Sequence, residues 1–418
     1  MNDQASGAYA ERADLVERFF VSEAPRLARL CHALARRFIR GGRLIAFGVG
    51  AAATDAQHVS VEFVHPVIVG KRALPALALI NDGPTALGLA LGDGGGFLAR
   101  QLAVLGRPED IALGMVHGPD DPGRAAVERA LEAAAERGML PVALTGPAGG
   151  AGSARWESFA VESDDPFIVQ EVHETLYHVL WELVHVFFDH KGLLEDRPGG
   201  SRHETGGSSF LYPFLAEAEV DLGRVLREVE GSIVQKAGDV VALRSASRAP
   251  GELGRTAALI VERVAAGGQI LTFGNGGSAT DAQDLVVDLV APPQGLDPVP
   301  AISLTNDAAV VTAIGNDIGF DNVFARQVIA YGKPGDVAIA ISTSGGSRNV
   351  LAAVEEARRR GLLTVGLAGY GGGRLAELCE RAHVVDADYI PRIQEAQATQ
   401  YHVLRRLMES SEVDSHEV

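Results

Sequence analysis

Residues 273–283 read FGNGGSATDAQ, and residues 47–57 read FGVGAAATDAQ. Each closes an apolar run in glycines and then opens a helical pattern, RLIAFGVG (43–50) in one case and QILTFGNGG (269–277) in the other. Strand, glycine turn and helix make the βα unit of a parallel sheet. A second pair of matches follows: QEVHETLYHVL (170–180) lines up with QEAQATQYHVL (394–404), at an offset of 224 positions against 226 for the first pair. Two matches in the same order, more than a hundred residues apart in each copy, identify an internal duplication and divide the chain into two homologous halves.

Working outward, apolar runs recur as further strands at ALPALALI, IALGMVH and LPVALTG in the first half and at VPAISLT, DVAIAIST and LTVGLAG in the second. Helical stretches such as 123–138 and 347–361 lie between them. Buried parallel strands alternating with helices predict a three-layer α/β/α sandwich in each half. Residues 10–40 carry apolar side chains at helical spacing and predict a lead-in helix, with 211–241 as its counterpart. Residues 189–210 break both periodicities and read as a connector. The expected organisation is a first domain over 1–190, a linker over 191–210 and a second domain over 211–418.

Of 418 residues, 47% are hydrophobic and 22% charged, the profile of a globular protein rather than a disordered one. A net charge of −17 sets a field that repels phosphate backbones and anionic lipid, which argues against nucleic-acid and membrane-surface partners. Two cysteines, Cys31 and Cys379, are too few for a disulfide framework or a thiolate metal site, as expected in a reducing cytoplasm. No secretory pattern or apolar stretch of membrane-spanning length is legible.

Two elements of the second half carry candidate chemistry. GNGGS (274–278) stands at a strand end, with Asn275 and Ser278 flanking glycines that permit close backbone approach. ISTSGGSRN (341–349) sets Ser342, Thr343, Ser344 and Ser347 around two glycines between a strand and a helix. Hydroxyls and backbone N–H groups at a helix start can cradle a phosphate without a lysine. The same composition also serves as an ordinary helix cap, and both readings stand at this level. On the helix after the first glycine turn, His58 and Glu62 are four residues apart and project from one face, as do Gln170 and His178 on the last helix of the first half. Two imidazoles, a carboxylate and an amide oxygen suit a first-row metal. They also suit a buried hydrogen-bond network. Lys71 and Arg72 read as a solvated basic pair that could reach a substrate.

The order GNGGSATDAQ, LTNDAAVVTAIGNDIGFDNVFARQV (304–328), ISTSGGSRNV and RIQEAQATQYH (392–402) resembles the sugar isomerase (SIS) domain family, in particular its phosphoheptose isomerases. The resemblance implies that Ser342, Thr343, Ser344 and Ser347 hold the sugar phosphate, and that Asn275, Ser278, Asp307 and Gln394 contact substrate. It assigns the family's acid/base and metal positions to His58, Glu62, Gln170 and His178 in the first half, where the set is complete. In the second half the matching residues are Asp284, Asp288, Gln394 and His402. The phosphate side shows the opposite loss: GMVHGPDDPG (114–123) lacks hydroxyl side chains and brings Asp120 and Asp121 where phosphate would sit.

These losses are complementary, and they predict one composite site with acid/base residues from the first half and phosphate loops from the second. The implied reaction is aldose–ketose isomerisation of a sugar phosphate, sedoheptulose 7-phosphate to a heptose 7-phosphate, with Glu62 and His178 moving protons and a divalent metal such as zinc assisting. A non-catalytic sugar-phosphate-binding module, or an isomerase or etherase acting on a hexose or amino-sugar phosphate, are the alternatives. The family also implies an oligomer, a dimer of tandem chains resembling a SIS tetramer.

Overall fold

In a computed structural model, residues 2–67, 71–93, 95–147, 154–194, 221–246, 250–293 and 295–416 are described. The first half runs α1 (Asn2–Ile39), β1 (Leu44–Phe47), α2 (Ala51–Val64), β2 (Ala76–Ala78), α3 (Gly83–Asp93), α4 (Phe97–Leu105), β3 (Ile111–Val116), α5 (Arg124–Glu136), β4 (Leu140–Thr145), β5 (Glu157–Ala160) and α6 (Pro166–Asp189). The second runs α7 (Leu222–Ala246), α8 (Pro250–Ala265), β6 (Ile270–Phe273), α9 (Gly277–Val290), β7 (Ala301–Ser303), α10 (Ala308–Ile318), α11 (Val323–Tyr331), β8 (Val337–Ser342), α12 (Arg348–Arg359), β9 (Leu363–Ala368), α13 (Gly373–Leu378), β10 (Arg381–Val384) and α14 (Ile390–His416).

Each half contains one five-stranded, wholly parallel sheet, ordered β2-β1-β3-β4-β5 and β7-β6-β8-β9-β10. The matching order bears out the duplication and the α/β/α layering. Central strands β3 and β8 are buried along their whole length, because helices cover both faces of a parallel sheet and leave no solvent-facing edge to the pleat. The outer strands β5 (ESFA) and β10 (RAHV) were not legible in the sequence, since four mixed residues carry no apolar run.

Equivalent helices meet in pairs across the halves: α1 packs on α7, α2 on α9 and α6 on α14, so the halves are related by an approximate twofold. Val225, Val229, Ile233, Ala237 and Val240 of α7 join the core beneath α1. Full burial of a Val or Ile side chain contributes roughly 1.5–3 kcal/mol, so this pairing is a major source of cohesion between the halves. The lead-in differs from expectation. In the first half one continuous α1 carries Pro25 within it, while in the second the corresponding stretch is split into α7 and α8. Residues 195–220, with most of the expected linker and the start of the expected second lead-in helix, lie outside the described residues. No described helix is long and apolar enough to cross a membrane.

Candidate functional site

The pairing of α2 with α9 and of α6 with α14 brings four helices together at the approximate twofold axis. Both α2 and α9 spring from the carboxyl end of a central strand through a glycine in the left-handed region, Gly50 at φ 63° and Gly276 at φ 57°. The turn shape has been kept in both copies while the side chains around it have changed.

On the first-half side, His58, Glu62 and His178 are buried together, near enough for one ligand atom of each to reach a single ion. His58 Nε2 lies 3.7 Å from Glu62 Oε1. The amide beside this pair is Gln394, whose Nε2 is 3.1 Å from His58 Nε2. Gln170 stands elsewhere, donating to Asp55 at 3.4 Å. The difference from the sequence expectation has a geometric cause. Eight residues of α-helix rise about 12 Å, so Gln170 and His178 lie at two levels, and the crossing helix supplies the amide at the level of His178.

The second half also orients His178. Its Nδ1 donates to Glu395 Oε1 at 3.0 Å, Glu395 Oε2 accepts from Arg392 at 2.6 Å, and Arg392 reaches Glu182 at 3.1 Å. A carboxylate on Nδ1 fixes the tautomer and leaves the Nε2 lone pair facing inward. His178 Nε2, both carboxylate oxygens of Glu62 and Gln394 Oε1 are buried with no hydrogen-bond partner in the protein. Four unpartnered lone-pair atoms in one place are costly unless something fills the space between them, and two imidazoles, a carboxylate and an amide oxygen fit a divalent ion such as zinc. Burial holds the His178 imidazole down at about 3, with Glu62 opposing and His58 reinforcing, so it is neutral. At His58 burial also disfavours the charged form, but Glu62, Asp281 and Asp55 outweigh it and raise the pKa.

The pseudo-equivalent cluster of Asp284, Asp288 and His402 has the same outline and different chemistry. His402 Nδ1 donates to Glu171 at 3.1 Å, and its Nε2 lies 3.5 Å from Asp284 and 3.6 Å from Asp288. Asp284 also accepts from Thr54 at 2.7 Å and Tyr401 at 2.9 Å, while Arg12 and Thr399 donate to Glu171. Burial works against charging His402, but Asp284, Glu171 and Asp288 push its pKa up to about 10. This cluster surrounds a charge-favouring imidazole with acidic side chains; its own His402 Nε2 and Asp288 Oδ2 are also buried without a hydrogen-bond partner, and burial with Asp284 nearby raises the Asp288 pKa well above the usual carboxylate range.

The loops show a matching asymmetry. In the second half the Ser342 hydroxyl lies 3.5 Å from Ser344 Oγ and 3.4 Å from Ser347 Oγ, and the Thr343 carbonyl accepts from Gly369. Asn275 and Asn349 exchange amide hydrogen bonds of 2.9 and 2.8 Å, tying this loop to the glycine loop. A Cβ at Gly277 would fall 1.9 Å from Gln394 Nε2 and 2.6 Å from His58 Nε2, so the second-half loop runs directly against the first-half cluster. Ser278 follows on α9, buried. Asp307 is exposed and caps α10 by accepting from Val310 N at 2.9 Å.

In the first half, Asp121 closes the corresponding loop by accepting from His117 N at 3.1 Å and Gly123 N at 2.8 Å. A carboxylate of the chain occupies backbone donors that an anion would need. Asp120 is exposed beside it. The Arg72 carbonyl accepts from His185, and its guanidinium lies 6.0 Å over Phe188, away from either cluster. Sequence reasoning passed over Glu171, Glu395, Asp55 and Asp281. Their signal was identity between otherwise diverged copies, QE at 170 and 394 and TDA at 54 and 280.

The SIS domain family model matches residues 9–146 and 238–369, more than half of the chain and both halves of the duplication. Among curated relatives, the phosphoheptose isomerase of Rhodospirillum rubrum is 42% identical over 160 residues, which are 38% of this chain and 85% of that protein. That of Solidesulfovibrio magneticus is 49% identical over 156 residues, 37% of this chain and 74% of that protein. Along nearly the full length, the C-terminal domain of glucosamine-fructose-6-phosphate aminotransferase from Francisella tularensis shares the fold, with a TM-score of 0.58 at 8% identity over 97% of this chain and 94% of that one.

Proposed function

We propose that this chain, which belongs to the SIS domain family, isomerises a sugar phosphate between its ketose and aldose forms at one composite site per chain. The similarity to phosphoheptose isomerases favours a seven-carbon substrate, sedoheptulose 7-phosphate going to a heptose 7-phosphate. One observation carries the reading: the unpartnered Glu62 carboxylate and His178 Nε2 of the first half stand where Gly277 of the second-half glycine loop abuts His58 and Gln394.

The phosphate is held by Ser342, Thr343, Ser344 and Ser347, with Asn275 and Ser278 from the neighbouring loop completing the contacts. Anchoring that end fixes which carbon faces Glu62, and positioning of this kind is worth several orders of magnitude in rate. Glu62 takes the proton from C1 of the ketose and returns it to C2 through an enediol. His178 is neutral, with its ring proton on Nδ1 held by Glu395, so its bare Nε2 takes the O1 hydroxyl proton and hands it to O2, the former carbonyl oxygen, as the enediol forms and collapses. With a divalent ion such as zinc bound, His58, Glu62, His178 and Gln394 would be its ligands, His178 Nε2 serving as donor rather than as proton carrier, and the ion would polarise the carbonyl oxygen. Exclusion of water is provided by the four-helix packing, since all four residues are buried.

The test is turnover of sedoheptulose 7-phosphate followed by product NMR in deuterated water, against a panel of five- and six-carbon ketose phosphates. Deuterium at C2 of the aldose product, abolished in Glu62→Gln, is the expected result. Tight binding with no turnover of any ketose phosphate would sink the catalytic reading and leave a sugar-phosphate-binding module.

A further inference from the structure

Between the two clusters, on the approximate twofold axis, the four helices enclose a small cavity whose wall includes Asp55, Glu174, Asp281 and Asp284. Two of these carboxylates are fully engaged. Asp55 accepts from His117 at 2.7 Å, with Gln170 and Tyr177 at 3.4 and 3.5 Å. Asp284 is taken up by Thr54, Tyr401 and the His402 imidazolium. The other two are not. Glu174 Oε1 and Asp281 Oδ2 are buried with no hydrogen-bond partner, and no ion pair to Glu174 exists among the described residues. Asp281 Oδ1 lies 3.7 Å from His58 Nδ1.

We propose that Glu174 and Asp281 bind a hard divalent cation of the magnesium or manganese class in this cavity, distinct from the ion that the His58, Glu62, His178 and Gln394 group would hold. Ligand atoms of Glu174, Asp281 and His58 lie within 4.8 Å of one another, a spread that one ion spans with bonds of about 2.0–2.6 Å. The donor character separates the two places. Carboxylates with Thr54, Thr280 and Tyr177 hydroxyls on the same wall make an oxygen-rich environment, which favours hard cations over zinc. His58 stands between the two places, Nε2 toward Gln394 and Nδ1 toward Asp281, so Glu174 and Asp281 supply the carboxylate oxygens on the axial side of the ring.

The two copies differ at this point. Asp281 has its equivalent in Asp55, whereas the counterpart of Glu174 in the second copy is Ala398. A carboxylate has therefore been placed on the axis from one side only, where a single ion can neutralise it together with Asp281. Such an ion would clamp α6 of one half to α9 of the other.

The full chain, stripped with chelator and reloaded with one equivalent of Zn2+, is titrated with Mn2+ and read by electron paramagnetic resonance. One Mn2+ should bind per chain with zinc retained, and its affinity should fall at least about tenfold in Glu174→Gln and in Asp281→Asn. Mn2+ binding should persist in Glu62→Gln, which perturbs only the other group, so failure of the proposed catalytic reading leaves this measurement intact. The proposal is overturned if Mn2+ releases the zinc, if its binding is lost in Glu62→Gln and kept in Glu174→Gln, or if no Mn2+ binds and infrared spectra show a protonated carboxyl that disappears in Glu174→Gln. Should Glu174→Gln not fold, the wild-type stoichiometry and Asp281→Asn decide the matter.

Discussion

Substituting Glu395 by Gln and, separately, Glu171 by Gln should have opposite consequences, although the two residues occupy equivalent positions in the duplication. Glu395 accepts from His178 Nδ1 at 3.0 Å, and Glu171 accepts from His402 Nδ1 at 3.1 Å. A buried hydrogen bond to a charged group contributes about 1.5–3 kcal/mol, which at 1.36 kcal/mol per decade is roughly ten- to 150-fold in rate if it is felt only when His178 works. The amide oxygen introduced by Glu395→Gln can still accept from Nδ1, so the lower end of that range is expected for kcat/KM. Arg392 keeps Glu182 at 3.1 Å, which limits the cost to stability. Glu171 is different, because it neutralises Arg12 as well as the His402 imidazolium, and Arg244 lies 3.6 Å away. Removing one member of such a buried set costs about 3–5 kcal/mol of stability, with turnover per folded molecule nearly unchanged. Steady-state kinetics on the ketose phosphate and urea denaturation, run on both variants, separate the two effects. If Glu171→Gln lowers kcat/KM of the folded protein as far as Glu395→Gln does, the assignment of catalysis to the His178 side is wrong.

Three further outcomes follow from the same geometry. Gln394→Ala should weaken zinc retention and lower turnover at least about tenfold while Gln170→Ala leaves both within a few-fold, checked by chelator competition and kinetics; the reverse result would restore the one-helix ligand set. Ser344→Ala should raise KM, each hydroxyl–phosphate bond being worth about 1.5–3 kcal/mol, whereas Asp120→Ala, at the exposed tip of the first-half loop, should change KM little; comparable losses would remove the division of labour. His402 has a folded pKa raised from 6.5 to about 10, so its contribution is complete below pH 6.5 and is lost as pH rises through about 10. The melting-temperature gap between wild type and His402→Gln should accordingly be widest near pH 6 and narrow toward pH 10, and a gap that widens with pH would contradict a buried imidazolium.

The sheets and the duplication were legible because buried parallel strands write long apolar runs, such as VAIAIS at β8, and because the glycine turns were copied with their spacing. The edge strands were not, since ESFA and RAHV carry no periodicity that distinguishes them from loop. Within the site, the i, i+4 pair of His58 and Glu62 could be read from one helix. The partner amide could not, because the choice between Gln170 and Gln394 depends on how α6 and α14 cross, and helix crossing leaves no mark in local spacing. The carboxylates that orient the histidines were present in the sequence as the repeated QE, but only the fold shows that each reaches across to the other half's histidine.

That crossing gives a physical reason for the unequal decay of the two copies. Where two identical subunits pair, each change made on one side appears on the other, so neither site can give up its hydroxyl loop or its imidazole without both doing so. Covalent fusion removes that constraint. On the proposed division of labour, the first-half loop is closed by Asp121, and the second cluster, with Asp284 and Asp288 where the first has His58 and Glu62, has no substrate to act on. The change had a structural return, because an imidazolium enclosed by Glu171, Asp284 and Asp288 joins α6, α9 and α14 at the axis. Both clusters tie α6 to α14, His178 through Glu395 and His402 through Glu171, so the helices are held from both sides while buried lone pairs at the first cluster remain unpartnered, a stability cost that a functional site commonly carries.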